Sequence, residues 1–131
     1  MSEITILKTI DNSGSKVSLR SDGILQIELK PNATLQLKDA KEMVVAFSEI
    51  GEGKKYPLLF IAGDFALASS DARSYASGQD ANQFTLASVF VVSNVAQKLM
   101  GNAYITFNKP ITPTKIMTSE SEAIKWLKTF L

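Results

Sequence analysis

Apolar and polar residues alternate along the first thirty positions. "ITIL" (4–7) and "KVSLR" (16–20) flank the turn-forming "DNSG", and "ILQIEL" (24–29) follows "SDG". A period of two between Asp-Gly and Ser-Gly turns predicts an antiparallel hairpin or meander. After "KPNAT" the period changes: Ala40, Met43, Val44, Phe47 and Ile50 fall on one helical face, with Gly51 placed to end the helix. "LLFIAG" (58–63), after the turn-rich connection "GEGKKYP", is a short continuous apolar run, the pattern of a central parallel strand buried on both faces. A helix is expected from near Ser70 to Gly78, too short to hold its shape alone.

Beyond "QDANQF", the β-branched run "TLASVFVVS" (85–93) predicts a second strand buried on both faces. Ser93 or Asn94 caps the segment "VAQKLMGNAYITF", where Val95, Leu99 and Ala103 keep helical spacing, so the helix is expected to continue past Gly101. Two prolines precede a short strand, "TKIM" (114–117). Ser119, followed three residues later by Glu122, predicts a capping box for a last helix whose apolar face carries Ala123, Ile124, Leu127 and Phe130. A hairpin followed by strands and helices in alternation implies βα units, hence an α/β fold: a mixed sheet with helices packed on it.

At 131 residues, 45% hydrophobic and 21% charged, the chain is expected to form a single domain, residues 1–131, with a core of its own. Fourteen basic and thirteen acidic side chains, interspersed, leave a net charge of +1 and build no field for nucleic acid or an anionic membrane surface. Neither cysteine nor histidine occurs. Disulfides, thiolate nucleophiles, the Ser-His-Asp arrangement and the usual zinc ligands are thereby excluded. "MSEITILKTIDNSG" does not read as a secretory or transit peptide and no apolar run reaches transmembrane length, so a cytoplasmic protein without membrane insertion is expected. Nothing in the residue inventory requires a cofactor or a metal.

"ASVFVVSNVAQKLMGN", "KPITPTKIM" and "SESEAIKWLKTFL" resemble a group of small bacterial uncharacterised proteins with a STAS-like fold, the fold of anti-sigma-factor antagonists. That group similarly ends in a proline-led strand, an acidic capping turn and an Ala-x-x-Trp-Leu helix, matched by Ala123, Trp126 and Leu127; "DGILQIEL" and "LKDAKEMVVAF" also fit it. These are packing motifs, so the resemblance implies a STAS-like sheet and leaves chemistry open. In anti-sigma-factor antagonists a partner kinase phosphorylates a serine at the start of the helix after a central strand, within Asp-Ser-Ser-Gly. Ala68-Ser69-Ser70-Asp71 lies at the similar place, which makes Ser69 and Ser70 the candidate phosphorylation or anion site. A helix start favours phosphate through its free N–H groups and dipole. Alanine, however, stands where that family has aspartate, and Asp71 where it has glycine, and Asp71 would repel a neighbouring phosphate. The alternative, favoured reading of these serines is a helix cap.

Asp64 follows the apolar strand at the end where open α/β sheets place ligands, and with Phe65, Asp71, Arg73 and Tyr75 it makes up the candidate interaction or ligand loop. Arginine grips anions bidentately and tyrosine sets a hydroxyl on an apolar body. Two residues apart on a helix they do not share a face, and Tyr75 reads as a partly buried packing residue. Asp64, Asp71 and Asp80, seven and nine residues apart, match no calcium loop and read as solvated acids. Trp126 reads as a core-boundary residue, and "GEGKK" as a solvated turn, because a phosphate loop needs strand–loop–helix order.

Three functions from different classes are consistent with these residues. A non-catalytic regulatory or protein-interaction domain would present residues 64–71 to a protein partner or to a second copy in a homodimer. A small-ligand or lipid-binding domain would use a cleft near residues 64–75, where the small-residue loop "AGDFALASS" leaves room under Phe65 and Leu67. A hydrolase or transferase would have to work with carboxylates and lysines alone. The absence of histidine and cysteine makes the interaction domain, and not an enzyme, the leading expectation. A flat apolar patch at the loop favours the first function, an apolar cavity reaching it the second, and two carboxylates converging in a cleft the third.

Overall fold

The computed structural model describes residues 3–131. Strands β1 (Ile6–Asp11), β2 (Ser15–Arg20) and β3 (Leu25–Leu29) form the antiparallel meander expected from the alternation. The first strand runs later than the apolar residues suggest, through Asp11, because pairing with β2 satisfies its backbone across polar positions. The turn shrinks accordingly, and Asn12 N–H donates to Ser15 O at 2.8 Å.

From β3 the chain crosses through α1 (Leu37–Gly51) to β5 (Tyr56–Ala62), through α2 (Ser70–Ser77) to β7 (Thr85–Val91), and through α3 (Val95–Ala103) to β8 (Thr114–Met117). Strands β3, β5, β7 and β8 are mutually parallel, and the sheet order is β1-β2-β3-β5-β7-β8. Successive crossovers run in one direction along the sheet, and α1, α2 and α3 lie on the same face, as right-handed connections require. Last comes α4 (Glu120–Lys128), which covers the other face. Period two then divides the core: Leu25, Ile27, Leu58 and Phe60 meet Met43, Val44 and Phe47 of α1, while Ile24, Leu59, Ala87 and Val89 meet Ala123 and Leu127 of α4. Trp126 is half-buried against this second cluster, edge-on to Phe130 at 4.9 Å.

Several boundaries differ from expectation for identifiable reasons. Gly51 lies inside the last turn of α1, and the left-handed stop is made by Glu52 (φ 52°) and Gly53 (φ 79°). Gly51 serves packing instead: a Cβ there would lie 2.7 Å from Cε2 of Tyr56. Tyr56 and Pro57 belong to β5, where the register with β7 shifts between these two residues. Proline has no N–H to donate to a ladder, which suits it to such an irregularity. Two two-residue strands, β4 (Thr34–Leu35) and β6 (Leu67–Ala68), pair apart from the main sheet and are too short to leave a periodic trace. Helix α3 does continue past Gly101, then widens into a π-helical turn, Tyr104–Asn108. At α4, Ser119 Oγ accepts from Glu122 N–H at 3.3 Å, while the Glu122 carboxylate turns toward Lys125 Nζ, 3.9 Å away. Among the described residues no helix is long and apolar enough to cross a membrane.

Candidate functional site

Between the sheet and helices α1, α2 and α3 lies a cavity of about 180 Å³. Its floor consists of the alternate strand residues that the pleat turns to this face: Leu58 and Phe60 of β5, Ser88 and Phe90 of β7, Thr114 and Ile116 of β8. Phe60 and Phe90 stack with ring centroids 4.4 Å apart, and Phe90 meets Tyr104 edge-on at 5.9 Å. The roof is Met43 and Phe47 of α1, Ala72 and Ala76 of α2, and Met100 and Gly101 of α3. Space remains because alanine, not a larger residue, faces the floor from α2.

The cavity reaches the loop singled out in the sequence, where Ala66, Leu67 and Ala68 border it. Leu67 stands as expected, but Phe65 does not cover the space: it is 75% exposed, on left-handed backbone at φ 59°. Asp64, Ser70 and Asp71 are exposed. Ser69 is the N-cap of α2, its Oγ accepting from Ala72 N–H at 3.2 Å. Arg73 and Tyr75 both border the cavity, although their side chains diverge. The Arg73 guanidinium doubles back to donate to the Ala68 carbonyl. Tyr75 is half-buried against the α1 side of the core, with Lys41 Nζ 5.9 Å from its ring centroid. Burial, and then the negative charge of Asp80, push the Tyr75 hydroxyl above its ordinary pKa. Among the described residues no three His, Cys, Asp or Glu side chains gather as a metal-holding group.

Four polar residues at the cavity have no distinguishing signal in the sequence. Asn82 donates from Nδ2 to the carbonyls of Ala76 (2.8 Å) and Gly78 (2.6 Å) and accepts from Thr112 Oγ1 at 3.0 Å, tying the end of α2 to the approach to β8. Gln97, the only buried residue of α3, donates to the Gly63 carbonyl at 3.0 Å and accepts from Ser93 N–H at 3.1 Å. It pins α3 to the corner after β5. Thr85 Oγ1 is buried with no hydrogen-bond partner among the described residues. Tyr104 is half-buried, and desolvation pushes its hydroxyl from about 10 up to about 12.

That shift has a sign. The unfolded chain releases the Tyr104 proton near pH 10 and the folded chain holds it to about 12, so ionisation above pH 10 favours the unfolded state. Stability is expected to fall as pH rises through this window, and Tyr104→Phe to flatten that part of the curve in denaturant titrations. An unchanged slope would show the hydroxyl to be freely hydrated.

No curated protein matches the chain. Among solved structures, an uncharacterized protein of the DUF3478 family from Shewanella loihica, described as having a SpoIIAA-like fold, is similar with a TM-score of 0.58 and 14% sequence identity, over 97% of this chain and 98% of that one. Likeness across nearly all of both chains shows the STAS-like fold implied by the C-terminal motifs, and at this identity it carries the fold alone. Residues 17–131, from within β2 to the last residue, match the family model described as Domain of unknown function (DUF7793), and the chain belongs to that family.

Proposed function

We propose that the protein is a non-catalytic binding domain for a small, mainly apolar molecule, held between the sheet and helices α1 to α3. The observation that carries this reading is the apolar cavity reaching the 64–71 loop. Protein interiors are normally packed without such space, and a dry apolar cavity of roughly 150 Å³ takes up a molecule the size of benzene. The stacked Phe60 and Phe90 rings supply an apolar floor for an aromatic or alkyl group. Binding of this kind requires neither histidine nor cysteine.

Native mass spectrometry of the protein purified from its own host tests the reading. A small mass carried in the native spectrum and lost on denaturation is the expected result; a bare chain that also refuses added benzene or xenon overturns it. Thr85 gives a second test. An unpartnered buried hydroxyl is costly, so Thr85→Val is expected to stabilise the empty protein by about 1 kcal/mol in thermal denaturation. Destabilisation would mean that the hydroxyl is already satisfied.

A protein-interaction role rests on a different surface. Val95, Leu99 and Phe107, on α3 and the π-helical turn, are exposed, Phe107 by 80%. Apolar side chains grouped outside a core favour contact with a second copy. A dimer mass that Leu99→Lys with Phe107→Lys abolishes would support this role, and a monomer at working concentration would remove it.

A further inference from the structure

We propose that the molecule held in the cavity is a small amphiphilic carboxylic acid, its head group bound by Arg73 and its apolar part lying on the Phe60–Phe90 stack. This rests on the cavity reading above and adds to it the chemical class of the ligand.

Among the described residues, Arg73 is the only charged one that borders the cavity. The chain has two arginines, and they are used in opposite ways. Arg20 is committed: its Nε and Nη2 donate to the two oxygens of Asp22 at 3.1 and 2.8 Å, and its Nη1 donates to Gln26 Oε1 at 3.2 Å. Arg73 donates only to the Ala68 carbonyl and enters no ion pair among the described residues. A guanidinium carries five N–H donors in a planar fork, so most of this one is available to a bidentate partner. The Ala68 bond holds it at the loop end of the cavity, half-buried, among Leu67, Ala68 and Ala72. Removing such a cation fully from water without a counter-charge is unfavourable, and an anionic head group would complete the pairing.

The cavity sets the size. Measured against the roughly 150 Å³ that accommodates benzene, about 180 Å³ suits an apolar part of about six to eight carbons.

The test compares matched probes by isothermal titration calorimetry on the full chain: octanoate against octan-1-ol, and phenylacetate against 2-phenylethanol. The acids are expected to bind at least about tenfold more tightly than the alcohols, an advantage that shrinks with added salt. Arg73→Gln is expected to cut the affinity for the acids at least about tenfold and to weaken the alcohols much less, so that the advantage of the acids is lost. Equal binding of acid and alcohol by the unaltered protein would overturn the head-group assignment and leave the cavity reading standing. Should neither bind, the cavity reading itself falls. The wild-type comparison and its salt dependence stand even if Arg73→Gln fails to fold.

Discussion

Replacing Asp22 with alanine is expected to cost the fold about 3–5 kcal/mol. The reason is burial. Both side chains of the Arg20–Asp22 pair are 7% exposed, and two hydrogen bonds join them in the fork geometry that suits arginine and carboxylate. Lys128 of α4 stands 3.9 Å from the same carboxylate, so Asp22 also links the β2–β3 turn to the last helix. Its removal leaves a guanidinium in the interior with one neutral partner, Gln26. The contrast is the Lys30–Asp11 pair, shorter than the Nε bond at 2.7 Å but 40% and 65% exposed. Water screens it, and Asp11→Ala is expected to cost far less than Asp22→Ala. Urea denaturation of the two variants side by side measures the difference. If Asp22→Ala costs as little as Asp11→Ala, Arg20 swings out to solvent and the pair is not a fixed part of the interior. Arg20→Met combined with Asp22→Ala is expected to recover part of the loss, since the penalty belongs to the unpaired charge and not to the missing attraction.

Asp22 illustrates where the sequence stops being legible. In "SDG" it reads as a turn residue, and it is one; nothing local shows that an arginine two residues earlier folds inward to meet it. Periodicity reports which face of an element is covered, so β2, β3, β5, β7, β8 and α4 were readable, and with them the sheet and its two packed faces. It does not report what covers that face, or how completely. Ala72 and Ala76 on α2 and Gly101 on α3 are all small and all border the cavity, yet for different reasons. Gly101 is also pressed against β8, where a Cβ would lie 2.6 Å from Cδ1 of Ile116, whereas the two alanines leave the space between α2 and the sheet unfilled. The cavity therefore follows from how three helices sit on one sheet, a tertiary quantity. Ser69 and Arg73 were visible as residue types, but the cap bond of the first and the uncommitted donors of the second appear only once α2 is placed beside Ala68.

Gly63→Ala, next to the cavity-lining Ala62, is expected to have a large effect, a loss of about 3 kcal/mol, at the upper end of what overpacking costs. A Cβ at this position would lie 2.4 Å from Leu29 O, 2.7 Å from Pro31 N and 2.9 Å from Lys30 C. All three are backbone atoms, so no side chain can swing away. The close approach is itself held by a hydrogen bond, Gly63 N–H to Leu29 O at 2.9 Å. Any retreat therefore stretches that bond, and because the Gly63 carbonyl accepts from Gln97, it also pulls on the anchor of α3. Gly53→Ala is the control: it has a positive φ of 79° but nothing within 4 Å, so only backbone strain of about 1–2 kcal/mol is expected there. If thermal denaturation finds Gly63→Ala no costlier than Gly53→Ala, the segment after β3 gives way easily, and the corner of the cavity is compliant rather than fixed. The larger loss would instead mean that the cavity keeps its shape when empty, as a preformed site must if its ligand is not to spend affinity on building it.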